Sequence, residues 1–134
     1  MSKIGLISCV QLKKIGSHKA KDIYISPLFK KSKLYAEKNL DDYYILSAKY
    51  GLLNKDKYIE PYDLALTNFS KKKINQWSIL VAKQIKKEIP NEDLYFLAGK
   101  NYYNYLIKYI SNNKKILMKG LIIGKRLKYL DNNL

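Results

Sequence analysis

The chain has 134 residues, of which 47% are hydrophobic, a size and composition typical of one compact domain with a real core. A single cysteine excludes an internal disulfide and argues against a cysteine-based zinc site. No basic leader and no apolar stretch of membrane-spanning length are found, so we expect a soluble, cytoplasmic protein. We expect neither a cofactor nor a metal ion.

The formal charge is +15, from 26 Lys and Arg against 11 Asp and Glu. An AT-rich genome accounts for part of the lysine excess, but the scarcity of acidic residues predicts an anionic partner, either nucleic acid or a nucleotide. Arg126 is the only arginine. Because specific guanine readout relies mainly on the arginine fork, contacts to the phosphate backbone are expected rather than contacts to base edges.

The first predicted element is an apolar run over residues 3–10, which is typical of a buried parallel strand because it lacks polar alternation. Ser8 and Cys9 fall at its carboxyl end. Lys13 follows four residues after Cys9, where it could activate the thiol or hold a phosphate beside it. A buried structural cysteine with a solvated lysine accounts for the same pattern.

A basic loop is predicted over residues 11–21, and a helix over about 27–39. Ser26 and Pro27 form a good helix start, with a hydroxyl N-cap followed by proline at the first helical position. The N-terminus of such a helix offers backbone N–H groups to a phosphate or carboxylate. Ser26 serves equally well as a cap alone.

The central stretch, residues 44–53, begins as a buried strand and changes abruptly to small, cationic and phenolic side chains that end at Gly51. In open α/β sheets, ligands bind beyond the carboxyl ends of the strands. Ser47, Lys49 and Tyr50 are therefore predicted to lie at a binding site. The alternative is a purely structural turn with Lys49 solvated and Tyr50 packed.

Residues 54–68 form a long polar segment that carries Pro61, Tyr62 and Asp63. A loop of this length without structure of its own is usually functional or a lid. It is long enough to fold back over the strand ends, which would place Asp63 and Lys49 in a common pocket.

The rest of the chain repeats the strand-turn-helix pattern, with a helix over 71–89 that turns Trp77 inward, a strand over 93–99, a helix over 101–111, and a basic terminal helix from about 124. This alternation predicts an α/β fold in which residues 1–134 form a single domain. We expect a mostly parallel sheet of about three to five strands flanked by helices. Ser8, Ser47 and Gly99 would then lie along one edge of the sheet.

Several motifs occur in fixed order along nearly the whole chain: Ser8-Cys9 with Lys13, residues 20–29, residues 46–53, residues 59–63, Ala98-Gly99 with Tyr102, and residues 120–127. In these motifs the chain resembles a family of small bacterial and phage proteins of unassigned function. That family is in turn similar to the YaaA peroxide-stress proteins, which share the Ser-x-x-Tyr-Gly-x-Leu and Pro-Tyr elements. The resemblance implies one α/β domain with a basic cleft, DNA binding, and an activity on nucleobases or damaged DNA.

Residues that match motif positions and fall at the predicted sheet edge are the candidate site. The candidate catalytic residues are Lys49, Asp63 and Tyr62, and the candidate ligand-binding residues are Ser8, Cys9, Lys13, Tyr24, Ser26, Ser47, Tyr50, Gly51, Pro61, Gly99 and Tyr102. Asp63 would act as an acid or base or stabilise an oxocarbenium-like centre, and Lys49 would hold phosphate or form a Schiff base.

Three functions are compatible with this site. The first is an enzyme acting on a nucleobase, nucleotide or nucleic acid, by glycosidic-bond cleavage or by base exchange or modification. The second is a non-catalytic DNA- or RNA-binding protein that uses exposed tyrosines as stacking platforms. The third is a small-ligand binder that sequesters a nucleotide. The chain lacks a glycine-rich phosphate loop, which excludes a P-loop enzyme.

Overall fold

The computed structural model describes residues 2–8 and 13–134. Its strands are β1 (Lys3–Ser8), β2 (His18–Lys19), β3 (Asp42–Ser47), β4 (Gly51–Asn54), β5 (Tyr58–Ile59), β6 (Asp93–Leu97) and β7 (Lys114–Ile116). Its α-helices are α1 (Ala20–Ile23), α2 (Pro27–Asn39), α3 (Lys71–Glu88), α4 (Lys100–Tyr103) and α5 (Ile123–Asn132), and short 3₁₀ helices cover Leu66–Asn68 and Leu106–Lys108.

Five strands form the central sheet in the order β4-β3-β1-β6-β7. β1 pairs in parallel with both β3 and β6, β6 pairs in parallel with β7, and only the edge strand β4 is antiparallel. The predicted α/β fold with a mostly parallel sheet is confirmed. β2 and β5 form a separate two-stranded ribbon.

Apolar side chains leave the sheet on both faces, which is why its strands are continuously hydrophobic. Along β3, Tyr43 and Ile45 join the cluster formed with α2 and α5, whereas Leu46 joins the cluster formed with α3. Trp77 of α3 is 6% exposed, so its predicted core position is confirmed. Helices on both faces leave the carboxyl ends of the parallel strands as an open edge.

The helix start predicted at Ser26-Pro27 is confirmed, because α2 begins at Pro27 and the Ser26 hydroxyl accepts a hydrogen bond from the Phe29 N–H at 3.2 Å. α3 begins in the same way. The Ser70 hydroxyl accepts from the Lys73 N–H at 3.2 Å. Both helices lie within one residue of their predicted bounds, since each starts at a side chain that satisfies an otherwise unpaired N–H group.

Three predicted segments differ from the structure. The expected helix over 101–111 is broken into α4 and a 3₁₀ turn, and the basic loop over 11–21 contains β2 and the start of α1. The polar segment 54–68 is not devoid of structure, because it contains β5 and a 3₁₀ helix. Backbone pairing with distant residues decided these elements: Ala20 N–H, for example, donates to the Lys57 carbonyl at 2.8 Å.

No helix among residues 2–8 and 13–134 combines the length and apolar character that a membrane span requires.

Candidate functional site

Tyr62 lies at the carboxyl end of β3, where its hydroxyl group forms two short hydrogen bonds. One joins it to the Ser47 hydroxyl at 2.7 Å and the other to the Tyr24 hydroxyl at 2.7 Å. Tyr24 is buried and Tyr62 half-buried. The segment after β5 therefore folds back over the strand ends, as predicted, and Tyr62 is the residue that makes the contact.

The bonds that Ser47 accepts from the backbone fix the direction of its hydrogen bond to Tyr62. The Ser47 oxygen accepts from the backbone N–H of Lys49 at 3.2 Å and of Tyr50 at 3.1 Å. Those two bonds occupy both lone pairs of the oxygen, so its own hydrogen points to Tyr62. In the bond between Tyr62 and Tyr24, either hydroxyl can be the donor. The three hydroxyl groups form one connected chain from Ser47 through Tyr62 to Tyr24.

The indole of Trp77 contacts Ser47 from the α3 side of the sheet. Its Nε1–H donates to the Ser47 carbonyl at 2.9 Å, and this bond is buried. The hydroxyl group at the sheet edge is thereby tied to the core on the α3 side of the sheet.

Three lysines surround the aromatic rings of what we call the tyrosine cluster, Tyr24, Tyr50 and Tyr62. Tyr50 and Tyr62 meet edge to face, with ring centroids 5.7 Å apart. The Nζ atom of Lys13 lies 4.5 Å from the Tyr62 ring centroid, and that of Lys49 lies 5.9 Å from it. Around Tyr50, the Nζ atoms of Lys49 and Lys57 both lie 5.3 Å from the ring centroid; Lys49 precedes β4 and Lys57 follows it.

Two of these lysines, Lys49 and Lys57, form no ion pair with a described residue. The ion pairs within the described ranges are Lys21–Asp56, Lys31–Asp131, Lys33–Asp22 and Lys55–Asp42. Lys49 and Lys57 take part in none of them. Positive charge beside an aromatic surface is a combination that binds a phosphate together with a planar base.

Lys49 and Asp63 are both exposed at this edge, and no hydrogen bond or ion pair joins them. Their sharing of one pocket therefore stays a prediction. Pro61 is exposed as well.

A second group of predicted residues lies farther along the same edge, at the ends of β1 and β6. The Ser8 hydroxyl accepts from the Gly99 N–H at 3.4 Å. The guanidinium of Arg126, on α5, reaches over Gly99, so that a Cβ atom placed there would lie 3.8 Å from Nη1. Arg126 was known from the sequence as the only arginine, but nothing in the pattern placed it at the sheet edge. Cys9 falls outside the described residues.

Three other predicted ligand residues have structural tasks. Ser26 caps α2. Gly51 has φ +72°, and a Cβ atom there would collide with the Gln84 side chain, so it is the residue that the turn requires. The Tyr102 ring packs edge to face on Trp77, with centroids 5.7 Å apart, in the cluster on the α3 side.

Sequence reasoning missed Lys57 and Gln84. Gln84 accepts from the Leu52 N–H at 2.8 Å and donates to the Tyr50 carbonyl at 3.3 Å, which fixes the backbone that carries Tyr50. A polar residue between the apolar positions of α3 was the only available signal, since Gln84 sits beside buried Ile85.

The comparisons with known proteins agree with the extent of this domain. The model of one protein family, described as a family of unknown function (DUF6884), matches residues 4–132. The chain belongs to this family. It is also similar to the uncharacterized protein YfjM of Bacillus subtilis (strain 168), with 28% identity over 130 residues that cover 87% of this chain and 82% of YfjM. For DUF6884, the match spans both the tyrosine cluster and the Arg126 region.

Proposed function

We propose that the protein is an enzyme that acts on a nucleotide or nucleic acid, with the substrate bound against the tyrosine cluster. The observation that carries the proposal is the position of Tyr62. Its hydroxyl is hydrogen-bonded to Ser47 and Tyr24, and its ring centroid lies 4.5 Å from Nζ of Lys13 and 5.9 Å from Nζ of Lys49. Aromatic surface, a hydroxyl group and positive charge meet at the edge where α/β sheets bind ligands.

The charge distribution suits a phosphate-bearing substrate. Lys49 and Lys57, which flank Tyr50, would bind phosphate oxygens as point charges, and the exposed sides of the tyrosine rings would contact the base. Because contacts between lysine and phosphate do not distinguish one base from another, we expect little sequence preference.

The reaction we propose is cleavage or exchange at the glycosidic bond. The bond between the base nitrogen and the anomeric carbon breaks, a water oxygen or a second base nitrogen bonds to that carbon, and the leaving base takes a proton. Tyr62 can supply the proton of the leaving base as a general acid when Tyr24 is the donor in the hydrogen bond that the two hydroxyl groups share. The Ser47 O–H and the nearby ammonium groups would stabilise the negative charge that develops on the Tyr62 oxygen. The attacking water or base gives up a proton in turn, which returns to the Tyr62 oxygen. Asp63 would stabilise the oxocarbenium-like centre.

The resemblance to the YaaA proteins is part of this proposal and rests on the shared motif. Ser47 and Tyr50 fall in the Ser-x-x-Tyr-Gly-x-Leu element, and Tyr62 falls in the Pro-Tyr element. In the structure the two elements are in direct contact through the Ser47–Tyr62 hydrogen bond. A motif whose two halves meet at one hydroxyl group supports a shared chemical role.

Base release tests the proposal directly. The parent protein is incubated with nucleotides, single-stranded DNA, single-stranded RNA and duplex DNA, and free base is measured by chromatography. Tyr62→Phe should lower the rate at least about a hundredfold, the usual contribution of a general acid, and leave substrate affinity within a few-fold of the parent. Tyr58→Phe is the matched control, because Tyr58 is 66% exposed and lies outside the cluster. Equal rates for Tyr62→Phe and the parent would exclude the acid role.

Lys49→Ala and Asp63→Ala test the two other catalytic candidates. Each should abolish binding or turnover while leaving the thermal midpoint nearly unchanged, since both side chains are exposed and neither forms an ion pair with a described residue. Thermal unfolding followed by circular dichroism checks the second half of this expectation. If either variant unfolds, the motif is needed for the stability of the fold, and its catalytic role loses support.

The second candidate function is binding without catalysis, to DNA or RNA or to a sequestered nucleotide. The net charge of +15 favours it, because most of the lysines lie outside the tyrosine cluster. Tight, salt-sensitive binding with no base release from any substrate would select this function over the enzyme.

A further inference from the structure

The carboxyl edge of the sheet carries a second polar group, two strands away from the tyrosine cluster. It is built around Arg126, whose Nε–H donates to the Leu121 carbonyl at 2.8 Å. That bond directs the guanidinium back along α5 and over Gly99, at the end of β6. Neither Nη group forms a hydrogen bond or ion pair with a residue in the ranges 2–8 and 13–134, so both can bind a ligand.

A small cavity opens beside this guanidinium. It is lined by Ser8, Leu28, Ser32, Leu97, Ala98, Met118 and Arg126, and its volume of ≈ 10 Å³ has room for one water-sized atom. An enclosed space of this size cannot hold a whole phosphate. It fits one oxygen of a phosphoryl group whose remaining atoms lie at the mouth, against the guanidinium.

The polar wall of the cavity points to such an oxygen. Ser32, on α2, is 2% exposed and lines the cavity, so its hydroxyl is placed to donate to an oxygen bound there. Ser8 accepts from the Gly99 N–H, so its own hydrogen is also available to an acceptor. Two hydroxyl donors and a guanidinium therefore face one space.

We propose that Arg126, Ser32 and Ser8 form a phosphate subsite, separate from the lysines of the tyrosine cluster. Adjacent strands lie roughly 4.8 Å apart, so the ends of β3 and β6 are separated by about 10 Å across β1. This inference rests on the proposed function in one respect, namely that the phosphate belongs to the same ligand. A nucleotide whose base contacts Tyr50 and Tyr62 would direct its phosphate, or the next phosphate of a strand, to Arg126.

The motif over residues 120–127 positions Arg126 in this subsite. Gly120 has φ +79° and forms the turn before α5, which sets the position of Leu121 and, through its carbonyl, of the Arg126 side chain. Nothing in the sequence distinguished this arginine from a surface cation. The hydrogen bond from Arg126 to the Leu121 carbonyl distinguishes it, because it holds the side chain in one orientation.

Inorganic phosphate is the probe that tests the subsite alone. In a nuclear magnetic resonance titration, phosphate should shift the Gly99 amide and the Arg126 Nε–H signals of the parent. Arg126→Gln should weaken this binding about tenfold or more, the value of a charge-assisted hydrogen bond. The matched control is Lys125→Gln, which removes the same charge from the neighbouring exposed position and should bind phosphate within about twofold of the parent.

Ser32→Ala is a second variant that tests the subsite if Arg126→Gln does not fold. Alanine is favourable within α2, so this variant should remain folded and bind phosphate about threefold more weakly or worse. Absence of phosphate-dependent shifts in the parent, or equal affinity in Arg126→Gln and Lys125→Gln, would overturn the subsite.

A labelled single-stranded oligonucleotide separates the subsite from the proposed function. If the parent binds the oligonucleotide, Arg126→Gln should lower the slope of log affinity against log salt by about 0.7, one phosphate contact. An unchanged slope overturns the subsite and leaves the proposed function standing. Phosphate binding at Arg126 without any binding of oligonucleotide or nucleotide supports the subsite and removes the proposed function.

Discussion

Tyr43 places a hydroxyl group where the sheet offers it no partner. The side chain is 2% exposed on β3, and its hydroxyl oxygen is buried without a hydrogen bond. Burial raises the pKa of Tyr43 well above the ordinary tyrosine value, and the nearby charges of Glu37, Asp22, Asp56 and Asp42 raise it further. The group is thus held neutral and is a cost to the folded state.

Tyr43→Phe should therefore raise the free energy of unfolding at neutral pH by about 1 kcal/mol. The sign of the pH dependence follows from the raised pKa. Above about pH 10 the unfolded chain ionises while the folded one stays neutral, so the parent loses stability as the pH rises, and the variant should lose less. Urea unfolding at both pH values measures the two effects. A variant less stable than the parent at neutral pH would show that the hydroxyl has a partner.

Gly51 is a residue whose role the sequence suggested only in part. A glycine at the end of the central strand indicated a turn, and the structure confirms a turn there. The sequence could not show that β4 returns antiparallel to β3, because that pairing depends on Leu53 and Leu52 lying opposite Ile45 and Leu46. Cross-strand pairing of apolar residues is read only once both strands are placed.

Gly51→Ala should cost roughly 1–3 kcal/mol, since alanine is strained at φ +72° and its Cβ atom would displace the Gln84 side chain. Gln84 holds the Tyr50 carbonyl, so ligand affinity should also fall. Gly124→Ala is the control: its Cβ atom meets nothing within 4 Å on α5, and the variant should be as stable as the parent or more so. Chemical denaturation of both variants gives the comparison.

Helices that start with a capping side chain were predicted closely, and short elements were not. Ser26 and Ser70 marked the starts of α2 and α3, since the cap is a local feature that the sequence displays. α4 has only four residues before the chain turns at Asn104, and no proline or glycine announces this break. β7 joins the sheet only through its pairing with β6. Tertiary contacts decided both elements.

In the candidate site, too, some features were predicted from the sequence and others depended on tertiary structure. Strand ends and motif positions placed Ser47, Tyr50 and Tyr62 together, because the carboxyl ends of parallel strands must share an edge. The sequence could not supply the order of the strands. The predicted placement of Ser8, Ser47 and Gly99 along one edge is confirmed, since β1 lies between β3 and β6. The sequence could not show that Ser8 and Gly99 contact each other and lie near Arg126.

α3 connects the core to the site through one side chain. Trp77 fills the space between α3 and the sheet, and its Nε1–H holds the Ser47 carbonyl. Trp77→Ala should lower the free energy of unfolding by about 3–5 kcal/mol, as for other buried aromatic residues. Trp77→Phe keeps most of the apolar volume and loses the hydrogen bond, so it should be destabilised less and still weaken ligand binding. Wild-type stability of Trp77→Ala would place the side chain outside the core.

The net charge of +15 has a spatial pattern that nucleic-acid binding can reveal. Lys49 and Lys57 lie at the carboxyl edge of the sheet, beside the tyrosine rings. Lys86 and Lys87, in the last turn of α3, lie near the opposite edge, since α3 leads into the start of β6. Both pairs are cationic and carry no ion pair among the described residues. Only the first pair should contact the phosphates of a bound strand.

Neutralising these two pairs should therefore have unequal effects on the binding of a single-stranded oligonucleotide. Lysines that contact phosphate release counterions, each adding about 0.7 to the slope of log affinity against log salt. Lys49→Gln combined with Lys57→Gln should lower that slope by about 1.4, whereas Lys86→Gln combined with Lys87→Gln, with the same loss of charge, should leave it near the parent value. Fluorescence anisotropy across a salt series measures both. Equal slopes for the two double variants would mean that the oligonucleotide binds through the net charge of the protein and not at this edge of the sheet.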